Sequence, residues 1–146
     1  MWRELLSRLG ADVRLFDGAS EEDFARAGQI LGSPIPEELK ELLRESNGVL
    51  NRDEVAIIWP IDRILQDNLH FRTNSDFSDL YMNFEPLLFF ADNGGGDQFA
   101  YVVQPKRFDI FVWDHENDSR QWVARRMSQY LTRRLSTEGD DWYRND

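Results

Sequence analysis

The stretch Leu87-Leu88-Phe89-Phe90-Ala91-Asp92-Asn93-Gly94-Gly95-Gly96-Asp97-Gln98-Phe99-Ala100-Tyr101-Val102-Val103 decides the reading of the fold. Two apolar runs flank a segment of Asp, Asn and Gly, residue types that tolerate the positive φ of a tight reversal. The pattern predicts a strand over 87–91, a turn over 92–97 and a return strand over 98–103. A phosphate cradle is the other reading of the glycines, but such loops precede a helix and carry a following Lys-Ser/Thr, and this one joins two strands. Glycines here also allow a ligand or partner chain to approach the backbone closely.

Toward the carboxyl end, Pro105-Lys106-Arg107 predicts a turn, 108–113 a strand, and 114–119 a further polar turn. Trp122-Val123-Ala124 reads as the last short strand. Met127, Tyr130, Leu131 and Leu135 then share one face of a closing helix whose outer face carries Arg125, Arg126, Arg133 and Arg134. Residues 136–146 are polar and acidic and are expected to fray, although they contain Trp142 and Tyr143.

Toward the amino end, 55–59 is short, apolar and β-branched, which suits a buried strand ended by Pro60. Residues 60–68 suit a helical turn resting on Ile61, Ile64 and Leu65, and 71–84 a long packed loop. Before these lie two helices. Ser20 with Glu21, Glu22 and Asp23 starts the first, Phe24, Ala27, Gly28 and Leu31 share its face, and Gly32 ends it. Pro36 is placed as first residue of the second, Ile35, Leu39, Leu42 and Leu43 form its inner face, Glu37 and Glu41 its solvated side, and Asn47-Gly48 its end. Trp2, Leu5, Leu6 and Leu9 form a short amphipathic helix stopped by Gly10; its polar face lacks the basic residues of a membrane-surface helix, so it is expected to pack on the domain.

The 146 residues suit one core, and 41% hydrophobic content with ten Phe and five Trp is enough to build it. The absence of cysteine removes disulfides, thiolate metal sites and a Cys nucleophile together, and fits the reducing cytosol. No signal-peptide core is present at the amino terminus, and no run approaches the ~18 apolar residues of a membrane span. Seventeen basic against 27 acidic residues give a charge of −10, which repels nucleic acid and anionic lipid and favours a basic partner.

Taken in order, Leu31-Gly32, Ile35-Pro36-Glu37-Glu38-Leu39, Asn47-Gly48, the strand near 57, 90–97, Ile110-Phe111-Val112-Trp113-Asp114-His115-Glu116, Val123-Ala124 and Tyr130-Leu131 form a combination that resembles the SUKH superfamily. That superfamily is named partly for a fungal regulator of cell-wall synthesis and is widespread as bacterial immunity proteins. The resemblance covers about 20–135, with 1–19 an extension and 136–146 a tail. It implies an α+β fold, a mainly antiparallel sheet of about four to six strands flanked by helices, on a scaffold that binds varied partners. Members usually carry Glu where Gly28 stands, four residues before the glycine of Leu-Gly.

Asp114, Glu116 and Asp118 alternate like calcium-loop ligands, yet Ser119 stands where Gly is needed and Arg125 where the closing Glu belongs. His115 and His70 lie far apart in sequence, so zinc would need carboxylates to complete its shell. With 27 acids, close pairs carry no information about acid–base chemistry, and no nucleophile stands with a base at useful spacing. Trp59, Trp113 and Trp122 are expected in the core; an exposed one is a binding anchor. The expectation is therefore a cytoplasmic, non-catalytic protein-binding domain without cofactor or metal. The resemblance implies an immunity protein blocking a basic toxin, with Glu37, Glu41, Asp92, Gly95, Gly96, Asp97, Asp114 and Glu116 as interface residues. A regulatory module that senses a peptide or small molecule over the glycine turn is the alternative.

Overall fold

The computed structural model describes residues 1–9, 12–74, 83–136 and 142–144. After a short helix α1 (Trp2–Arg8) and a two-residue strand β1 (Arg14–Leu15), the first long helix α2 (Glu21–Leu31) begins at a capping box. The Ser20 hydroxyl accepts from Asp23 N, and the Asp23 carboxylate accepts from Ser20 N. Gly32 ends it in the left-handed region at φ 75°. Pro36 is the N-cap of α3 (Glu37–Glu45), one place outside its expected position within the helix. Ser46 ends that helix in an extended conformation, and Asn47 and Gly48 lie just beyond it.

Two-residue β2 (Val49–Leu50) and β3 (Ala56–Ile58) complete an antiparallel sheet in the order β1-β2-β3. Pro60 then caps α4 (Ile61–Thr73), a full helix of 13 residues where only a turn was expected. It runs through Phe71, so the expected 71–84 loop starts as helix; 75–82 lie outside the described residues. The second sheet, order β4-β5-β6-β7, is built from β4 (Leu87–Asp92), β5 (Gln98–Val103), β6 (Lys106–Asp114) and β7 (Ser119–Ala124), all antiparallel. Strands β6 and β7 run longer than expected, because cross-strand pairing recruits the polar residues that flank the apolar runs. The two sheets meet where Trp59 N–H donates to Phe90 O at 2.7 Å. The architecture is the expected α+β, with its strands divided between sheets of three and four.

Each face of the larger sheet is covered. On one face Phe90 and Phe99 meet Tyr130 of the closing helix α5 (Met127–Ser136), both at 5.2 Å between ring centres. On the other, Phe89 and Trp113 join Phe71 and Phe84 in an aromatic cluster with spacings of 5.1–6.0 Å. The buried Asn68 ties α4 to β4, donating to Phe89 O at 2.8 Å and accepting from Phe89 N at 2.7 Å. Trp59 and Trp113 are core residues as expected, whereas Trp122 is 45% exposed.

Within the tail, expected to fray, the described residues 142–144 are instead ordered. Trp142–Arg144 form a turn of 3-10 helix, in which Trp142 is buried and stacks on Phe99 at 5.6 Å with the ring planes 14° apart. Two aromatic side chains beside an open patch of Phe99 remove enough apolar surface from water to hold the segment. Among the described residues no helix is long and apolar enough to cross a membrane.

Candidate protein-binding surface

The turn between β4 and β5 is organised by its own side chains. Asp92 accepts from Trp59 Nε1 at 2.9 Å and from Gly94 N at 3.1 Å. Buried Asn93 accepts from Gly95 N at 2.8 Å and Asp97 N at 3.1 Å, and its amide donates to the Tyr143 hydroxyl at 3.0 Å. Gly96 has φ 111°, and a Cβ there would lie 2.9 Å from the His115 ring, so both conformation and space demand glycine.

Asp97 is fully buried. Its Oδ1 accepts from His115 N at 3.2 Å and lies 2.6 Å from His115 Nδ1, while its Oδ2 accepts from the Tyr143 hydroxyl. The adjoining β6–β7 turn brings Asp114 beside this pair, and Asp114 Oδ1 accepts from Glu116 N at 3.0 Å. One ligand atom from each of Asp97, Asp114 and His115 lies within 4.8 Å of the others, a spacing that could hold a metal ion. A metal there would compete with the Asp97–His115 and Asp97–Tyr143 contacts, which satisfy the buried carboxylate. In this arrangement the group works as a clip joining both turns to the tail.

Glu37 and Glu41 lie elsewhere, on the exposed side of α3. Arg44 grips Glu21 of α2 with two bonds, Nε at 2.7 Å and Nη2 at 2.8 Å, and reaches Glu37 at 3.3 Å. The Arg44 hydrogen bond lowers the pKa of Glu21, and Lys40 followed by Arg44 lowers that of Glu37. The Arg44 guanidinium is in turn held more firmly in its charged form, chiefly by Glu21. Beside this network runs an open groove of about 520 Å³ with Phe24, Ala25, Gly28, Pro34 and Ile35 in its wall, and with Glu21 and Lys40 lining it too. At Gly28 a Cβ would stand 3.3 Å from Ser33 O, so the missing side chain leaves the groove open where SUKH-like sequences usually carry Glu.

The eight expected interface residues thus fall into two groups. Asp92, Gly95, Gly96, Asp97, Asp114 and Glu116 gather at one end of the β4–β5 hairpin. Glu37 stands by the other end, near Val103 and Lys106, so about 15–20 Å of β5 separates the groups. Glu41, Gly95, Gly96 and Glu116 are exposed, as is Glu37, whereas Asp92 and Asp114 are half-buried and Asp97 faces inward. Sequence reading passed over Asn93, Tyr143 and Glu38. Glu38 Oε1 accepts from the Tyr101 hydroxyl at 2.8 Å and from Met127 N at 2.9 Å. Burial and then the Glu38 charge push the Tyr101 pKa well up. An acid in a helix's first turn reads as a dipole partner, and nothing local signals a bond to a residue 89 places away.

Two antiparallel sheets backed by helices, with exposed carboxylates beside an apolar groove, define an α+β domain suited to binding another protein. The chain belongs to the SMI1 / KNR4 family (SUKH-1), whose family model matches residues 18–133, and domains of this family are in general protein-interacting. No curated protein matches the sequence.

Proposed function

We propose that this protein is a non-catalytic immunity protein that neutralises a toxin by binding a basic surface of it. The observation that carries the reading is the α2–α3 face, where exposed Glu21 lines an open, mostly apolar groove and Glu37 and Glu41 stand exposed on the adjoining helix α3. Carboxylates steer a cationic partner, and the groove receives an apolar side chain of that partner once water is displaced. The charge of −10 adds a long-range field of the same sign. The alternative role, a ligand pocket over the glycine turn, has less support: Gly94 abuts Val55 and Gly96 lies under His115, so these glycines serve internal packing.

A toxin gene is expected in the immediate neighbourhood of this one, and co-expression with its product tests the reading. Growth is expected to be restored by the wild-type protein, and failure to restore it removes the immunity role. In stopped-flow association with the purified toxin domain, Glu37→Lys with Glu41→Lys is expected to slow binding roughly tenfold at low salt. An unchanged rate would remove the steering argument. Asp97 is no part of this test, because reversing a buried carboxylate would disrupt the turn.

A further inference from the structure

From Ser119 to Ser136 the chain contains no acid and five arginines, at 120, 125, 126, 133 and 134, in a protein with 27 acids against 17 bases. Folding adds Lys106 and Arg107 from the start of β6, because Ile110 pairs with Ala124 and so sets the preceding β6 residues beside Arg125 and Arg126. Lys106, Arg107, Arg125, Arg126 and Arg133 are all exposed, and the ion pair nearest them is Arg107 with Asp109 at 3.5 Å.

Two large aromatic side chains stand exposed in the same area, Phe108 at 50% and Trp122 at 45%. Each lies under a guanidinium: Arg126 sits 4.5 Å from the Phe108 ring centre and Arg133 sits 5.3 Å from that of Trp122. Trp122 is further fixed by its Nε1 bond to Asp109 at 3.0 Å, and Arg133 by its bond to Val123 O at 2.6 Å. A guanidinium held over a ring face retains N–H groups that can grip a carboxylate. The side chains are thereby ordered before any ligand arrives, which lowers the entropic cost of binding.

Among the described residues β7 borders β6 alone, so it is an edge strand whose outward N–H and C=O groups, apart from Val123 O, which Arg133 already holds, can pair with an added strand. We infer that the β7 edge, with Trp122, Phe108 and the arginines at 125, 126 and 133, is a second docking surface, and that its occupant is an extended, carboxylate-rich peptide segment of a protein partner. Charge complementarity argues for the acids, and the open edge argues for a peptide backbone. A nucleic acid would leave the strand edge unpaired, since it has no backbone amides to add to the ladder. The inference uses other residues than the immunity reading, whose α2–α3 face adjoins this surface where Glu37 and Phe108 line one small pocket.

The test uses the full chain and a fluorescein-labelled peptide of about ten residues alternating Glu and Val, a strand-like acidic probe, read by anisotropy. Saturable binding is expected, weakening at least roughly tenfold when salt rises from about 50 to about 300 mM. Arg126→Glu with Arg133→Glu should abolish it, and Lys106→Glu with Arg107→Glu, which leaves the Val123 bond untouched, should weaken it roughly tenfold. N-methylation of alternate peptide bonds in the probe should also abolish it. Absence of saturable binding, equal binding of a Lys-Val peptide, indifference to both charge reversals or tolerance of the N-methylated probe overturns the inference. Tighter binding of single-stranded oligothymidine of matched charge would replace the peptide with a nucleic acid.

Discussion

Removing a carboxylate from water costs several kcal/mol unless donors replace that water, and Asp97 meets the condition with donors from two places in the chain. His115 supplies a backbone N–H and faces the carboxylate with its ring, and Tyr143, 46 residues further on, supplies a hydroxyl. An aspartate after three glycines reads from sequence as solvent-facing, so this inward role was not legible; it depends on a contact with the tail. Asp97→Asn keeps the size but turns one acceptor into a donor facing other donors, and is expected to cost about 2 kcal/mol in urea unfolding. Tyr143→Phe should cost about 1 kcal/mol. Combined with His115→Ala its effect should be non-additive, since both partners address one carboxylate. Full additivity would mean that the tail and the β6–β7 turn are held separately.

The elements that sequence reading placed well are those whose signals are local. The capping box of α2, the prolines before α3 and α4 and the glycine turn of the β4–β5 hairpin all act within a few residues of where they stand. What escaped was set by distant residues. The strands β1 and β2 have two residues each, too few to show a period, and exist because they pair with each other and with β3. The helices' long-range caps escaped too, though not the helices themselves: at the start of α4 Ile61 N donates to the Asn47 side chain at 2.8 Å, and at the start of α5 Met127 N donates to Glu38. Helix α1 begins on Glu45, whose carboxylate accepts from Trp2 N at 3.1 Å and Arg3 N at 3.0 Å. Burial acts to raise the Glu45 pKa, but the backbone bonds from Arg3 and Trp2 and the charged amino terminus outweigh it and hold the carboxyl below its ordinary 4.5. A carboxyl depressed on folding stabilises the native state above the unfolded value and loses that contribution as pH falls through the folded one. Glu45→Ala is therefore expected to lower stability by about 1 kcal/mol at neutral pH. In thermal melts the gap to wild type should close as the buffer is taken below pH 4.5; a gap constant with pH would assign the effect to packing alone.

Across the whole molecule, the acids of α2 and α3 and the arginines near the carboxyl end form two patches of opposite sign that a net charge of −10 conceals, and the patches adjoin where Glu37 lines one small pocket with Lys106 and Arg107. Beneath both runs one continuous apolar cluster from Trp2 to Trp142, to which the first helix contributes as expected and Trp142 of the tail contributes against expectation. The amphipathic spacing made α1 legible. The tail was not, because Trp142 and Tyr143 stand in a polar run without periodicity, and only ring contacts with Tyr130 and, far away in sequence, Phe99 give them a place. Trp142 Nε1 finds no hydrogen-bond partner within the described structure, so the residue is held by its ring surface. That separates two substitutions. Trp142→Ala removes the stack on Phe99 and opens a cavity, and should cost about 3 kcal/mol, seen as a lower urea midpoint. Trp142→Phe keeps much of the ring contact and removes an orphaned buried donor, and should cost under about 1 kcal/mol. Equal losses from both would mean that the indole N–H is satisfied and carries the contact; no loss from either would mean that the core closes without the tail.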